Sequence, residues 1–207
     1  MISMLKNRDA DIHSETAARI FNMDIDSVSK DMRRKAKEVN FGLIYGMESF
    51  GLSKSLDIPK KEATELIDSY FNQFPKIKGY LDSIVKNAES STFTETLYGR
   101  KRFIRELASS NFQLKAMGKR IAMNAPIQGT AADILKLAMI QIDKWLLSED
   151  GNIKMLMQVH DELVFEVKNS FAEEAKANID NLMSNCSKLD VPLIVDVGLG
   201  NNWETAH

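Results

Sequence analysis

A row of charged and aromatic residues is the most informative feature of the sequence. Residues 33–46 read RRKAKEVNFGLIYG, in which every fourth position from the first is Arg33, Lys37, Phe41 and Tyr45. Each step of four residues turns about 40° around an α-helix, so these side chains would form one gently drifting row. Cations suit a triphosphate and a flat ring suits a stacked base. The pattern indicates a nucleotide site, but an amphipathic helix with core aromatics and a solvated basic end would also produce it.

A second candidate site is the polar turn Gln158-Val159-His160-Asp161-Glu162. Apolar residues alternate with polar ones on both sides of it, which predicts a β-hairpin. Adjacent carboxylates at an exposed turn, here Asp161 and Glu162, can bind Mg²⁺, which prefers oxygen ligands. A two-metal site needs carboxylates from at least two places, because one turn cannot bridge both ions. Aspartate is also a routine turn residue, so a purely structural hairpin remains an alternative.

A third group of polar residues surrounds Pro126. Arg120 and Asn124 share a helix face, and Gln128 follows beyond the proline. These side-chain types suit contacts to phosphate, sugar and base edges. His13, beside the start of a predicted helix, could contact an anion there. A polar helix surface and a purely structural histidine are the alternatives.

Helices are the main elements that position these residues. The sequence predicts helices at 11–22, at 31–45 with Ser29 and Gly46 as its caps, from 59 to 75, from 75 onward, at roughly 110–123 and 128–147, and at 171–187. Pro126 separates the two long ones. Hairpins are predicted at 92–105 and 153–168 and a last strand at 193–197. The fold class is therefore α+β, mostly helical with a small antiparallel sheet late in the chain.

Gly42 lies inside the predicted helix at 31–45. Glycine costs a helix interior roughly 1 kcal/mol relative to alanine. We therefore expect some group to approach the backbone of Gly42 closely.

The composition bounds the class of protein. The chain has 207 residues, 44% of them hydrophobic, which is enough for one core or two small ones. It contains no apolar run long enough to cross a bilayer and opens on no signal peptide. Its single cysteine, Cys186, excludes an internal disulfide framework, fits a buried packing role and favours a cytoplasmic location.

The charge is unevenly distributed. The net charge is −2, yet residues 30–37 carry five cations and one acid, and residues 92–120 carry seven cations and two acids. Positive charge concentrated on an otherwise acidic body suggests a directed site for a polyanion.

Taken together, these motifs resemble the family A DNA polymerases. The segments that carry the resemblance are Asp11-Ile12-His13, Arg33–Gly46, Glu95-Thr96-Leu97 with Gly99-Arg100, Asn124-Ala125-Pro126 with Gln128–Asp133, Gln158–Glu162, and Asn202-Trp203 with Ala206-His207. They follow the order of the family across nearly all 207 residues. The resemblance implies a fingers region at 1–110 and a partial palm region at 111–207 that contains the metal-binding hairpin.

The resemblance also implies a role for each residue around the nucleotide. Arg33 and Lys37 would bind the triphosphate with His13 alongside, and Lys37 would help to protonate the leaving pyrophosphate. Phe41 would lie against the incoming sugar and base. Tyr45 with Gly46 would lie at the templating position.

The remaining roles concern DNA and metal. Arg120, Asn124 and Gln128 would contact primer and template, and His160 would face the primer end. Asp161 would be a metal-binding and catalytic aspartate with Glu162 beside it. The implied cofactor is Mg²⁺, and the implied partners are primer–template DNA and dNTPs in replication or repair.

One feature of the family does not occur in the sequence. The first catalytic aspartate of the family lies in an Asp-Tyr-Ser-Gln-Ile-Glu type segment, which is found nowhere in residues 1–207. We therefore expect the chain to be inactive alone and to need the amino-terminal polymerase portion as a partner. The alternative is a non-catalytic DNA- or nucleotide-binding module. A third possibility is an incomplete core that is only marginally folded, in which the palm sheet lacks strands and the hairpin at 153–168 has an unpaired edge that favours aggregation or dimerisation.

Overall fold

The computed structural model describes residues 11–206 and confirms a mainly helical α+β fold. Within those residues the helices are α1 (Ile12–Ile20), α2 (Lys30–Ile44), α3 (Ser49–Leu56), α4 (Lys60–Gln73), α5 (Pro75–Ser91), α6 (Phe112–Leu146), α7 (Ala172–Ser184) and α8 (Trp203–Ala206). The strands are β1 (Phe93–Glu95), β2 (Lys101–Phe103), β3 (Ile153–Val159) and β4 (Glu162–Val167). Short 3₁₀ helices cover Ile25–Ser27, Arg105–Ala108 and Asn169–Phe171.

The described residues form two compact units. The amino-terminal unit ends at Thr130 and the carboxy-terminal unit begins at Ala131, so the boundary falls inside α6. The antiparallel pair β1–β2 belongs to the first unit and the antiparallel pair β3–β4 to the second. The functional division into fingers at 1–110 and palm at 111–207 stays a prediction.

Helix α2 has the caps that its sequence predicts. The Ser29 hydroxyl accepts a hydrogen bond from the Met32 amide at 3.2 Å, and Gly46 follows the helix with φ +72°. Gly42 is approached closely by Met47, whose sulfur lies 3.0 Å from where a Cβ would stand. The glycine is thus explained by internal packing at the end of the helix.

The amino-terminal unit contains two apolar clusters. Val39 of α2 packs with Leu52 of α3 and with Leu66 and Tyr70 of α4. Tyr70 is fully buried, and this burial raises the pKa of its hydroxyl to about 12. The second cluster consists of Ile84, Ala88, Ile104, Leu107 and Ala122. The first cluster anchors the buried face of α2, and the second anchors α6.

Helix α6 differs from its prediction. The sequence predicted two helices interrupted at Pro126, whereas the structure has one helix from Phe112 to Leu146 with Pro126 inside it. Proline removes one backbone hydrogen bond from a helix interior. The helix continues because Ala122 and Ala125 are buried against the unit. Tertiary packing here outweighs a local helix breaker.

The carboxy-terminal unit is built on the predicted β3–β4 hairpin. The register pairs Val159 with Glu162 at the turn and shifts between Met155 and Met157. Ile153 packs against α7, where its partners are Ala175 and Ile179.

Two further predictions concern this unit. Cys186 is buried as expected, and burial raises the pKa of its thiol. The predicted strand at 193–197 is wrong, because these residues join neither of the two sheets of the described chain. Their side chains still alternate between half-buried and exposed, and Val197 packs on the core of this unit. Alternation of apolar and polar residues determines which face of a segment is buried, but a strand also requires a backbone hydrogen-bonding partner.

No helix in residues 11–206 combines the length and the apolar character needed to cross a membrane.

Candidate nucleotide and nucleic-acid site

The predicted row on α2 is exposed along its whole length. Arg33 and Lys37 are solvent-accessible, and the rings of Phe41 and Tyr45 are 47% and 43% exposed. The opposite face of the helix, with Val39, is fully buried. The interpretation in which the aromatic residues belong to the core is therefore wrong. Two cations and two rings are available to a ligand on one helix face.

His13 is attached to this row by a buried amide. In the first turn of α1, its Nδ1 lies 3.2 Å from the Nδ2 atom of Asn40, and its ring centroid lies 5.6 Å from that of Phe41. An amide nitrogen only donates, so Nδ1 must accept and the imidazole is neutral with its proton on Nε2. The Asn40 amide also donates to the hydroxyl of fully buried Thr16 at 3.1 Å. His13 is thus fixed as a neutral hydrogen-bond donor.

The charges around His13 reinforce this protonation state. Burial lowers the pKa of His13, the positive charges of Arg33 and Lys37 lower it further, and the Asp11 carboxylate opposes them. An imidazole that stays neutral beside two cations leaves its Nε2 proton available to an anion.

Asp11 holds Arg33 in place. The Arg33 guanidinium donates through Nε and Nη2 to the two Asp11 oxygens, at 2.5 and 3.2 Å. This contact holds the pKa of Asp11 well below its usual range. Asp11 also caps α1 by accepting from the His13 amide at 3.1 Å. One carboxylate therefore positions the start of α1 and the first cation of the row.

The end of α2 lies directly against α6. A Cβ on Gly46 would stand 3.1 Å from the Arg120 Cα and 2.7 Å from the Met123 Cε. The positive φ and this contact both require glycine at position 46. Gly46 is thus brought beside Arg120.

Asn124 and Gln128 follow Arg120 on α6 at intervals of four residues. Asn124 is half-buried, and its Oδ1 has no hydrogen-bond partner among the described residues. Gln128 is exposed and lines a small cleft beside the β1–β2 hairpin. The three side chains provide polar groups along one stretch of α6.

The β3–β4 turn presents the predicted carboxylate pair. His160 and Asp161 form its two-residue tip, both exposed, with His160 at φ +52°, and Glu162 begins β4. The Gln158 amide braces the turn by donating to the His160 carbonyl at 2.9 Å. Carboxylate oxygens suit Mg²⁺. No group of three or more His, Cys, Asp or Glu within residues 11–206 is arranged to hold a metal.

Asn40 is the residue of this candidate site that sequence analysis missed. It lies on the buried side of α2, next to fully buried Val39, and is itself only 7% exposed. A polar residue inside an apolar helix face needs a hydrogen-bond partner. That placement is the signal that could have drawn attention to it, but the sequence does not reveal that the partner is His13.

Comparisons with known proteins agree on one family. The sequence model of DNA polymerase family A matches residues 1–205. The chain is 45% identical over 199 residues to DNA polymerase I of Pseudomonas aeruginosa, covering 96% of this chain and 22% of that protein. It is 46% identical over 203 residues to DNA polymerase I of Caldicellulosiruptor bescii, covering 98% of this chain and 24% of that protein. The chain therefore spans about a quarter of the length of these relatives.

A solved structure is similar over the same residues. It is the POL domain of Pol1 from M. smegmatis in complex with a DNA primer–template and dNTP. The TM-score is 0.92 and the sequence identity 40%, over 99% of this chain and 36% of that chain.

Proposed function

Because this chain belongs to DNA polymerase family A, we propose that it is the nucleotide- and DNA-binding segment of a template-directed DNA polymerase of the cytosol. The reaction is attack of a primer 3′-hydroxyl on the α-phosphate of a dNTP, with release of pyrophosphate, in replication or repair. The observation that carries the proposal is the exposed row on α2 with a neutral histidine fixed beside it. The similar M. smegmatis domain was solved with primer–template and dNTP, which supports the same two ligands here.

In this proposal the row on α2 binds the incoming nucleotide. Arg33, Lys37 and His13 donate to the triphosphate, and Lys37 supplies a proton to the leaving pyrophosphate. Phe41 lies against the sugar and base. Tyr45, with Gly46, lies at the templating position, where it tests the shape of the new base pair. Exposed aromatic faces suit the base and sugar, and the cations beside them suit the triphosphate.

The other proposed residues bind DNA and metal. Arg120, Asn124 and Gln128 contact primer and template. At the β3–β4 turn, His160 faces the primer end, and Asp161 and Glu162 hold Mg²⁺. The ion, when bound, stabilises the negative charge that develops on the phosphate and the attacking oxygen.

Catalysis in this proposal needs a carboxylate from outside these 207 residues. A two-metal site draws ligands from at least two places, and the β3–β4 turn is one place. The polymerase portion that supplies the second carboxylate is the proposed partner of this chain. Residues 1–110 act as fingers and 111–207 as part of the palm. The alternative is a module that binds DNA or nucleotide without catalysis.

Two measurements on the chain test this proposal. In the first, labelled dNTP with Mg²⁺ is titrated into the native chain and into Arg33→Gln and Lys37→Gln. A charge-assisted hydrogen bond contributes about 1.5–3 kcal/mol, so each variant should bind about 10- to 100-fold more weakly. Arg34→Gln is the matched control, because Arg34 is the adjacent arginine and pairs with Asp31 instead. Equal losses in all three variants would contradict a nucleotide site on this row.

The second measurement is primer extension on a primed template with Mg²⁺ and dNTPs, run beside Asp161→Ala. We expect binding of primer–template without extension by the native chain, and unchanged DNA binding by the variant. Extension that Asp161→Ala abolishes would mean that another carboxylate of this chain completes the site. Loss of DNA binding in Asp161→Ala would contradict the metal-binding role of this residue.

A further inference from the structure

The amino-terminal unit contains a small polar cleft between the β1–β2 hairpin and α6. Its volume is about 60 Å³, and its lining residues are Thr94, Glu95, Thr96, Arg100, Arg102, Ala125, Gln128 and Gly129. One water molecule needs roughly 10–15 Å³ measured in the same way, so the cleft has space for a few waters or one small polyatomic group. Of its polar side chains, Gln128 alone has a role in the proposed polymerase site.

The hairpin register divides its side chains into two chemically different faces. Thr94 is paired with Arg102, and the Thr96 amide donates to the Arg100 carbonyl two residues further on. Because side chains alternate along a strand, one face carries two threonines and two arginines. The other carries Phe93, Glu95, Lys101 and Phe103, whose side chains interact with one another. Phe93 packs on Phe103 at 5.6 Å, and Lys101 pairs with Glu95 at 3.5 Å.

The threonine and arginine face is held against α6 at its turn end. The Arg100 guanidinium donates to the Gly129 carbonyl at 2.9 Å, and the Leu97 amide donates to the Thr130 hydroxyl at 2.9 Å. A Cβ on Gly129 would stand 2.6 Å from the Thr96 methyl, so only glycine lets the hairpin approach this closely. Thr94 and Arg102 are the next pair along the same face.

The side chain of Thr94 indicates that this cleft binds a ligand. The residue is only 6% exposed, and its hydroxyl has no hydrogen-bond partner in the part of the chain that the structure describes. Buried hydroxyls are normally paired. The side chain of Arg102, which is exposed, stands directly across the hairpin from it. A group that accepts from both a hydroxyl and a guanidinium, and that fits the space, is an anionic oxygen cluster.

We propose that this cleft binds one phosphate group, with the Thr94 hydroxyl and the Arg102 guanidinium as its donors. Arg100 and Gln128 lie at its edge and add positive charge and an amide. The phosphate has two possible sources, the backbone of bound DNA or free inorganic phosphate. The DNA source rests on the proposed function, since Gln128 is also a proposed DNA contact, whereas the free-phosphate source does not.

The test compares variants on the two faces of the hairpin, and variants with and without the Thr94 hydroxyl. Arg102→Gln and Thr94→Val remove the two donors. Lys101→Gln removes the same charge from the neighbouring residue on the opposite face, and Thr94→Ser keeps the hydroxyl. Circular dichroism establishes that each variant is folded. Binding of a labelled primer–template is followed by fluorescence anisotropy over a range of salt concentrations, and binding of inorganic phosphate by titration calorimetry.

If the source is DNA, Arg102→Gln should lower the slope of log affinity against log salt by about 1, the value for one phosphate contact. Thr94→Val should weaken binding about 10-fold, whereas Thr94→Ser and Lys101→Gln should resemble the native chain. If the source is free phosphate, the same two variants should lose the calorimetric signal while DNA binding is unchanged.

The proposal is overturned if Arg102→Gln matches Lys101→Gln, and Thr94→Val matches the native chain, in both titrations. If the native chain binds DNA and these variants match it in both titrations, the cleft is refuted and the polymerase proposal stays intact. A native chain that binds phosphate but no DNA refutes the DNA-binding part of the polymerase proposal, while the calorimetry still decides the cleft.

Discussion

His13 shows how one protonation state is set by several neighbours. Its Nδ1 accepts from Asn40, and burial and two cations keep the ring neutral. Replacing Arg33 with glutamine removes a positive charge and leaves Asp11 without its principal ion-pair partner. Both changes should raise the pKa of His13, measured by an NMR titration of its ring protons. Arg34→Gln is the control, because Arg34 does not perturb His13; an equal shift in both variants would contradict this electrostatic account.

Asn40 should matter for stability as well as for the position of His13. In Asn40→Ala the half-buried His13 Nδ1 loses its donor, and the buried Thr16 hydroxyl loses the amide while keeping its bond to the Ile12 carbonyl. Unpaired buried polar groups cost about 1–3 kcal/mol, and we expect that loss in the free energy of unfolding, measured by urea denaturation. Asn87→Ala makes the same change on an exposed helix face and should stay within about 0.5 kcal/mol of the native chain. Similar effects at both positions would mean that the buried amide contributes nothing specific.

The lowered pKa of His13 also predicts a dependence of stability on pH. Between its folded pKa and the ordinary value of 6.5, the unfolded chain binds more protons than the folded one. The stability is therefore complete above pH 6.5 and decreases as the pH falls below it. Urea denaturation at pH 7.5 and pH 5.5 should show a smaller decrease for His13→Gln than for the native chain. An equal decrease in both would assign the effect to other groups.

The sequence predicts most of the residues at this site but not their mutual arrangement. The row from Arg33 to Tyr45 follows from helical spacing alone, because its four members share one face of one element. The contact between His13 and Asn40 joins two helices, and no local pattern encodes a distance between elements. For the same reason the cleft at Thr94 and Arg102 could not be found without the hairpin register and the packing at Gly129.

At the scale of elements, the junction of α2 and α6 depends on Gly46. Alanine there would adopt a left-handed conformation, which costs roughly 1–2 kcal/mol, and its Cβ would press on Arg120. We expect Gly46→Ala to lower the free energy of unfolding by at least that amount. Gly79→Ala is the matched control, since Gly79 lies in α5 with open space around it and should gain about 0.5–1 kcal/mol. A neutral Gly46→Ala would show that the two helices separate at little cost.

Two predicted elements failed because tertiary contacts decided them. Pro126 breaks a helix in isolation, yet α6 continues through it on the packing of Ala122 and Ala125. Residues 193–197 have the alternation of a strand, yet they join neither described sheet. Periodicity reports which face is buried, and the backbone partner is supplied by another part of the chain. The hairpins were predicted correctly because each strand finds its partner within a few residues.

At the scale of the whole molecule, the charge is divided between the two parts of the chain. Residues 1–130 contain 21 Lys and Arg against 16 Asp and Glu, whereas residues 131–207 contain 6 against 13. The part that contains the row on α2 and the proposed phosphate cleft therefore has the positive net charge, and the part with the carboxylate turn has the negative one. A net charge of −2 conceals this separation. Attraction to a polyanion and the binding of a divalent cation are thus favoured on different parts of the chain.

The β3–β4 hairpin leads to a prediction about association. Within residues 11–206 each strand has a single ladder partner, so the sheet has unpaired edges, and Leu156 and Met157 of β3 are 54% and 47% exposed. Edges of this kind pair with other chains. We expect the purified chain to self-associate, with a mass that rises with concentration in light scattering. Leu156→Lys should reduce that mass, because a charge at an edge opposes pairing.

Leu97→Lys is the matched control for this association. Leu97 is 65% exposed at the tip of the other hairpin, so the variant adds the same charge away from the β3–β4 edge. If Leu97→Lys dissociates the oligomer as well as Leu156→Lys does, general repulsion rather than edge pairing explains the effect. A monomer at all concentrations would show that the exposed edge is protected without a partner. Association that the edge variant alone reverses would identify this hairpin edge as the surface through which the chain self-associates.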